Sequence, residues 1–259
     1  MKQLKAAELR DFLEGKCSLY NNLKFIETDP VSIPHLFSKK EDIEIAGFLA
    51  ATIAWGQRTT ILRNARQLMS WMDDDPHRFI MDFNDADIGA FSKFVHRTFQ
   101  RDDCSFYLRS LQHIYRMQGG LSKIFQQAAS VNDQDVGEAI VNARTFFFNT
   151  PHLKRSEKHF SDPSTGSAAK RMNMFLRWMV RKDQAGVDFG IWNDLSPSQL
   201  ICPLDVHSGR VARKLGLLQR KQNDWKAASE LTANLKKLDP NDPVKYDFAL
   251  FGLGVFEKF

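Results

Sequence analysis

Apolar residues return every three or four positions along most of this chain, and no run alternates strictly between flanking turn residues. A spacing near 3.6 puts apolar side chains on one face of a helix, whereas a half-buried strand needs a period of two. Met172, Phe175, Leu176 and Met179 show the pattern clearly. The expected fold class is therefore all-α. Helices are expected over Lys5 to Leu13, Ile43 to Ala54, Thr60 to Met72, Asp85 to Phe94, Asp103 to Gln118 and Leu121 to Ala129. Further helices are expected over Val136 to Phe148, Ser167 to Val180, Val206 to Leu215, Trp225 to Lys236 and Pro243 to Leu253.

With 43% hydrophobic and 26% charged residues in 259, the chain can bury a core in one large or two small domains. Neither repeats nor low-complexity tracts occur, which excludes solenoids and long linkers. Ile45 to Trp55, the longest apolar stretch, falls short of the ~20 residues needed to cross a bilayer. No apolar run follows the first lysines, so a cytoplasmic protein without membrane association is expected. Cys17, Cys104 and Cys202 match no metal-ligand spacing; reduced thiols are expected, and no metal or cofactor is implied.

The net charge is +5, and its distribution says more than its size. Ser167 to Lys221 holds ten Lys and Arg residues against four Asp, a local excess of six that suits a polyanion. Within this segment two residues stand out. Lys170 follows Ser164-Thr165-Gly166 and a potential N-cap, Ser167, so it should lie in the first helical turn. There the free N–H groups and the positive end of the helix favour a phosphate, and an amine is a potential nucleophile. Asp205 follows Pro203 and opens the next helix. Each has a plainer reading: Lys170 as a solvated lysine, Asp205 as a helix cap, His207 as a structural hydrogen-bonding group.

In combination these residues resemble the helix-hairpin-helix DNA glycosylase superfamily, which includes endonuclease III and the archaeal 8-oxoguanine glycosylases. A glycine-containing hairpin there leads into a helix bearing a catalytic lysine, here Gly166 and Lys170, and an Asp-x-His-x-x-Arg-Val segment follows, here Asp205 to Val211. Upstream, Gln57 with Asn64 seven residues on is similar to a segment whose Gln probes the duplex beside the extruded base; as an alternative, Gln57 caps a helix junction. Lys170 to Arg181 also resembles the signature of an uncharacterised bacterial family, a distant relation of the glycosylases. Two departures stand beside the matches. The glycine precedes the lysine by four residues instead of about two, and Lys170 and Asp205 are 35 positions apart, an interval closer to the archaeal enzymes, which lack an iron-sulfur cluster.

The resemblance implies a monomeric two-domain helical protein with an active-site cleft between domains, one of residues 46 to 202 and one of residues 1 to 45 and 203 to 259. It implies base excision from damaged double-stranded DNA, such as an oxidised purine, through Lys170 and Asp205, with abasic-site lyase activity through a Schiff base. DNA contacts are expected from Gln57, Ser164, Thr165, Gly166, Ser167, Arg171, His207 and Arg210. Trp55, Phe189 and Trp192 are candidates to stack the base, or else core residues. The alternatives are a DNA- or RNA-binding protein of the same fold without chemistry, an RNA-acting enzyme, and a protein-interaction domain whose basic face is only solvated.

Overall fold

The computed structural model describes residues 5–126 and 135–259. Twelve α-helices are present among them: α1 (Ala6–Tyr20), α2 (Leu23–Thr28), α3 (Lys40–Thr52), α4 (Arg58–Trp71), α5 (Pro76–Asp82), α6 (Arg101–Met117), α7 (Leu121–Gln126), α8 (Gly137–Phe147), α9 (Lys170–Val180), α10 (Val206–Lys214), α11 (Trp225–Lys236) and α12 (Tyr246–Val255). The one sheet among the described residues is a hairpin of β1 (Val95–His96) and β2 (Phe99–Gln100), with Val95 opposite Gln100. Among the described residues no helix is long and apolar enough to cross a membrane.

The chain forms two compact units. One comprises the described residues within Met1–Phe25, Asp133–Gly137 and Asp162–Phe259; the other comprises those within Ile26–Asn132 and Glu138–Ser161. Residues 162–202 thus group with the termini and residues 26–45 with the middle, a division that differs from boundaries at residues 46 and 202.

In the middle unit α3 is buried from Asp42 to Thr52, because its sequence is apolar on nearly every face. Phe48 at its centre meets Tyr107 of α6, Phe147 of α8 and Phe160 at ring-centroid distances of 6.0, 5.4 and 5.7 Å. The high Phe content builds this core: aromatic rings bury large areas and pack edge to face.

In the terminal unit α12 packs against α1 and α10. Gly252 makes the first contact possible, since a Cβ there would lie 2.1 Å from Cδ2 of Tyr20. Gly252→Ala is expected to lower stability by ~1–3 kcal/mol, as over-packing does. A denaturation midpoint equal to wild type would show that the Tyr20 ring can move aside.

Several helices begin or end elsewhere than the periodicity suggests. The expected helix from Asp85 to Phe94 is a 3₁₀ turn over Asp87–Lys93, where Asp87 and Asn84 take backbone N–H groups of Asn84 and Ala86 (2.8 and 2.9 Å) in local turns that compete with an α-helix. The helices α2 and α5, of six and seven residues, are too short to show a period. Residues 127–129 of the expected Leu121 to Ala129 helix lie outside the described residues.

Candidate active site

The hairpin before α9 is assembled from short-range polar contacts. Oδ1 of Asp162 accepts from the backbone N–H and hydroxyl of Ser164 (2.9 and 2.6 Å), and Thr165 Oγ1 donates to the Asp162 carbonyl (3.0 Å). Gly166 then takes φ +91°, a left-handed conformation open to glycine without steric cost. A Cβ at Gly166 would have no atom within 4 Å, so its conformation, not crowding, calls for glycine. Ser164, Thr165 and Gly166 are exposed.

The helix starts later than its sequence suggests. Ser167 is not its N-cap. Ala169, at φ 46°, occupies that position, and Lys170 is the first helical residue. The Ser167 hydroxyl oxygen instead accepts the Ala169 N–H (3.2 Å), and the Asn173 carboxamide donates back to the Ala168 carbonyl (3.0 Å). Two left-handed residues three apart turn the chain before the helix can propagate. A non-glycine residue in this region is strained, and such strain gathers where the surrounding structure enforces it.

Asp205 caps α10, and its two oxygens divide the work. Oδ1 accepts the N–H groups of His207 (2.8 Å) and Ser208 (3.0 Å), while the Asp205 N–H donates to Ser208 Oγ (2.9 Å). Oδ2 lies 4.0 Å from Nζ of Lys170, and both side chains are 29% exposed. Nζ also contacts Met174 Sδ at 3.5 Å.

Beneath this pair the same face of α9 carries Arg177, seven residues after Lys170, and Arg181 follows as the C-cap of the helix. Each guanidinium is buried. Arg177 donates to Asp188 (3.2 Å) and to Asp247 of α12, and sits over the Phe248 ring at 4.2 Å. Arg181 pairs with Asp183, Asp188 and Asp242 at 2.6, 3.1 and 2.9 Å. Burial disfavours the Arg181 charge, but those three carboxylates outweigh it and raise its pKa above the usual range. At Asp247 burial wins: it pushes the carboxyl up to about 6, against the pull of Arg177 and Lys170 and with help from Asp205 and Asp188.

Because the folded pKa of Asp247 exceeds its ordinary 3.8, the folded state binds this proton more tightly than the unfolded one. Its stabilising contribution is complete below pH 3.8 and is lost as pH rises through about 6. Wild type is therefore expected to lose stability relative to Asp247→Asn between pH 4 and 7, read as the difference between their melting temperatures. A difference independent of pH over that range contradicts the assignment.

These pairings reduce the share of the basic segment's charge that meets solvent. Arg177 and Arg181 face buried carboxylates, Arg220 pairs with Asp224 (2.5 Å), and Arg213 points at backbone carbonyls. Lys182, Arg210, Lys214 and Lys221 remain exposed, with Lys170 and Arg171 half-buried. His207 is exposed beside the cap, and Arg210 donates to the Gly254 carbonyl (3.1 Å).

The other candidates take different places. Trp192 is buried, with its ring edge-on to Phe175 at 5.4 Å, which makes it a core residue and not a stacking platform. Phe189 is half-buried, and its N–H donates to the Trp178 carbonyl (2.8 Å). Gln57 and Trp55 belong to the middle unit. Gln57 is exposed at the N-cap of α4, but its side chain makes no cap hydrogen bond. Asn64 contributes structure there: its amide donates to the Val95 carbonyl (3.3 Å) and contacts His96 Nδ1 (3.0 Å), so the other ring nitrogen carries the hydrogen donated to the Trp55 carbonyl (3.0 Å). Trp55 also stacks on His159, centroids 5.7 Å apart.

Sequence reasoning missed Asp188 and Asp247 as partners of α9. The available signal was the presence of Arg177 within, and Arg181 directly after, an otherwise apolar helix, which calls for buried acids somewhere in the chain.

A family model described as Protein of unknown function (DUF2400) matches residues 29–256. No curated protein and no solved structure matches the chain.

Proposed function

From the premise that the chain belongs to the DUF2400 family, we propose that it is a base-excision enzyme acting on damaged double-stranded DNA, with Lys170 as nucleophile and Asp205 as its carboxylate partner. The helix-hairpin-helix glycosylase type of fold belongs to the same proposal. One observation carries it: Lys170 Nζ and Asp205 Oδ2 stand 4.0 Å apart and partly open to solvent, although 35 positions separate them in sequence. Since Oδ1 satisfies the helix cap, Oδ2 is available for chemistry without unfolding α10.

In the reaction so read, the amine of Lys170 attacks C1′ of the damaged nucleotide. The C1′–base bond breaks, and the base leaves with the bonding electron pair. The carboxylate of Asp205 stabilises the positive charge developing on the sugar and assists loss of the amine proton. The C1′–O4′ bond then breaks, O4′ takes up the proton released from Nζ, and an imine is left between Nζ and C1′; loss of a C2′ proton from it expels the 3′ phosphate and cleaves the strand. Borohydride reduces that imine to a stable amine. Trapping against a panel of lesion-bearing and abasic duplexes therefore tests the proposal: a covalent adduct supports it, and no adduct with any member refutes it.

A second reading keeps nucleic-acid binding and drops the chemistry. It is favoured by the completeness of Asp205 as a cap, which gives that residue a sufficient structural role. Binding insensitive to Lys170→Gln with no adduct from wild type selects it, and competition between matched DNA and RNA duplexes then identifies the backbone it prefers.

In either reading the exposed hairpin Ser164 to Gly166 contacts the phosphate backbone and reads no sequence. Binding is expected to weaken steeply with salt. Gly166→Val forces a β-branched residue into a left-handed conformation costing ~1–2 kcal/mol, so affinity for damaged and undamaged duplexes should fall alike, on the order of tenfold. A loss confined to one lesion would move Gly166 from the backbone contact into the base pocket.

A further inference from the structure

A partly exposed ion pair at 4.0 Å holds two chain segments together only weakly, so something else must set the spacing of Lys170 and Asp205. The loop between α10 and α11 is bonded to both segments. On one side, the Asn223 carboxamide donates to the Asp205 carbonyl (3.1 Å). On the other, the Trp225 N–H donates to the Gly166 carbonyl (3.0 Å), and Ser167 and Asp224 form an antiparallel bridge.

Arg213 gives this loop its shape. Its Nε donates to the Arg220 carbonyl (2.8 Å), and its Nη2 donates to the carbonyls of Lys221 (2.9 Å) and Gln222 (3.2 Å) and to Asn223 Oδ1 (2.7 Å). One planar guanidinium thus gathers three main-chain carbonyls and orients the Asn223 side chain, so that its amide faces Asp205. Gly209 supplies the room. A Cβ there would lie 2.9 Å from both Arg213 Nη1 and Asn223 Oδ1, so the Gly of the Asp-x-His-x-Gly-Arg segment leaves space for the contact.

We propose that Arg213 and Asn223 are positioning residues for the Lys170–Asp205 pair: through the Arg220–Asp224 loop they set the distance between the cap of α10 and the hairpin that precedes α9. The inference rests on reading that pair as the reacting groups. Neither residue takes part in the chemistry; each acts on segments that do.

Asn223→Asp and Asn223→Ala are the informative variants, because Asp still accepts from Arg213 but cannot donate to Asp205. Both are expected to slow formation of the borohydride-trapped adduct at saturating duplex at least ~tenfold, since misplacing a reacting group by about an ångström has such effects. Duplex affinity should stay within about twofold and the melting temperature within a few degrees. Arg213→Lys should not restore the wild-type rate, because a single ammonium cannot bridge the same four acceptors. An unchanged saturating rate in Asn223→Ala overturns the inference, as does a slowed rate that merely follows a loss of folded protein. Amide hydrogen exchange at Ser208 and Trp225 gives a readout that needs no catalysis. Faster exchange at both in Asn223→Ala sustains the brace even if wild type forms no adduct and the catalytic reading falls; unchanged exchange at both overturns it.

Discussion

Lys170→Gln is expected to abolish both the borohydride-trapped adduct and strand cleavage while leaving affinity for duplex DNA nearly unchanged. The amide has no nucleophilic lone pair, and one partly exposed amine contributes little to a multi-contact electrostatic interface. Asp205→Asn separates cap from chemistry. Asn is as good an N-cap as Asp, so its Oδ1 can keep the His207 and Ser208 N–H groups and stability should change by less than ~1 kcal/mol. Base removal should nevertheless slow by about three orders of magnitude, because a neutral amide cannot stabilise a cation that exists only in the transition state. Duplex binding should tighten as a negative charge facing phosphates is removed. Single-turnover assays on the lesion that wild type processes, with binding measured in parallel, give each quantity. Full activity in both variants would mean that the pair is structural and that the nucleophile is another residue.

The second large effect concerns folding. Arg177→Ala removes the cation shared by Asp188 and Asp247 and leaves two carboxylates buried with less compensation. Breaking one side of a buried ion pair costs ~3–5 kcal/mol, a sizeable part of the 5–15 kcal/mol by which domains are typically stable. The melting temperature should fall on the order of 10 °C. Arg177→Met restores volume and the contact with Phe248 but no charge, so it should recover only the packing share of the loss. If Arg177→Ala costs under 1 kcal/mol, water reaches these carboxylates and they are not part of a closed network. Asp188→Asn, which leaves Arg177 with Asp247 and Arg181 with Asp183 and Asp242, should cost less than Arg177→Ala.

How far the chain can be read without its structure depends on the range of the interaction that decides each feature. Helical class and most helix positions are set within a few residues, by the 3.6 period and by caps: α11 falls on Trp225–Lys236 as the period indicates, and Asp205 caps α10 as its place after Pro203 indicates. Short elements escape because they span too few residues to show a period, as in α2 and α5. The start of α9 escapes for a different reason. Left-handed backbone at Gly166 and Ala169 is held by the Asn173 carboxamide and by the bond from Trp225 to the Gly166 carbonyl, more than fifty positions downstream of Lys170.

Charges divide in the same way. Sequence alone determined that Lys170 and Arg177, seven positions apart, fall on one face of a helix, because that follows from helical geometry, and that Ser167 to Lys221 carries an excess of cations. It did not determine which of those cations meet solvent. Their partners Asp242 and Asp247 lie sixty to seventy positions away, and only the packing of α12 and the turn before it brings them to Arg177 and Arg181. Tertiary structure likewise decided the 4.0 Å approach of Lys170 to Asp205 and the Arg213–Asn223 brace beside it, since hydrogen bonds between distant segments leave no periodic trace in the chain that makes them.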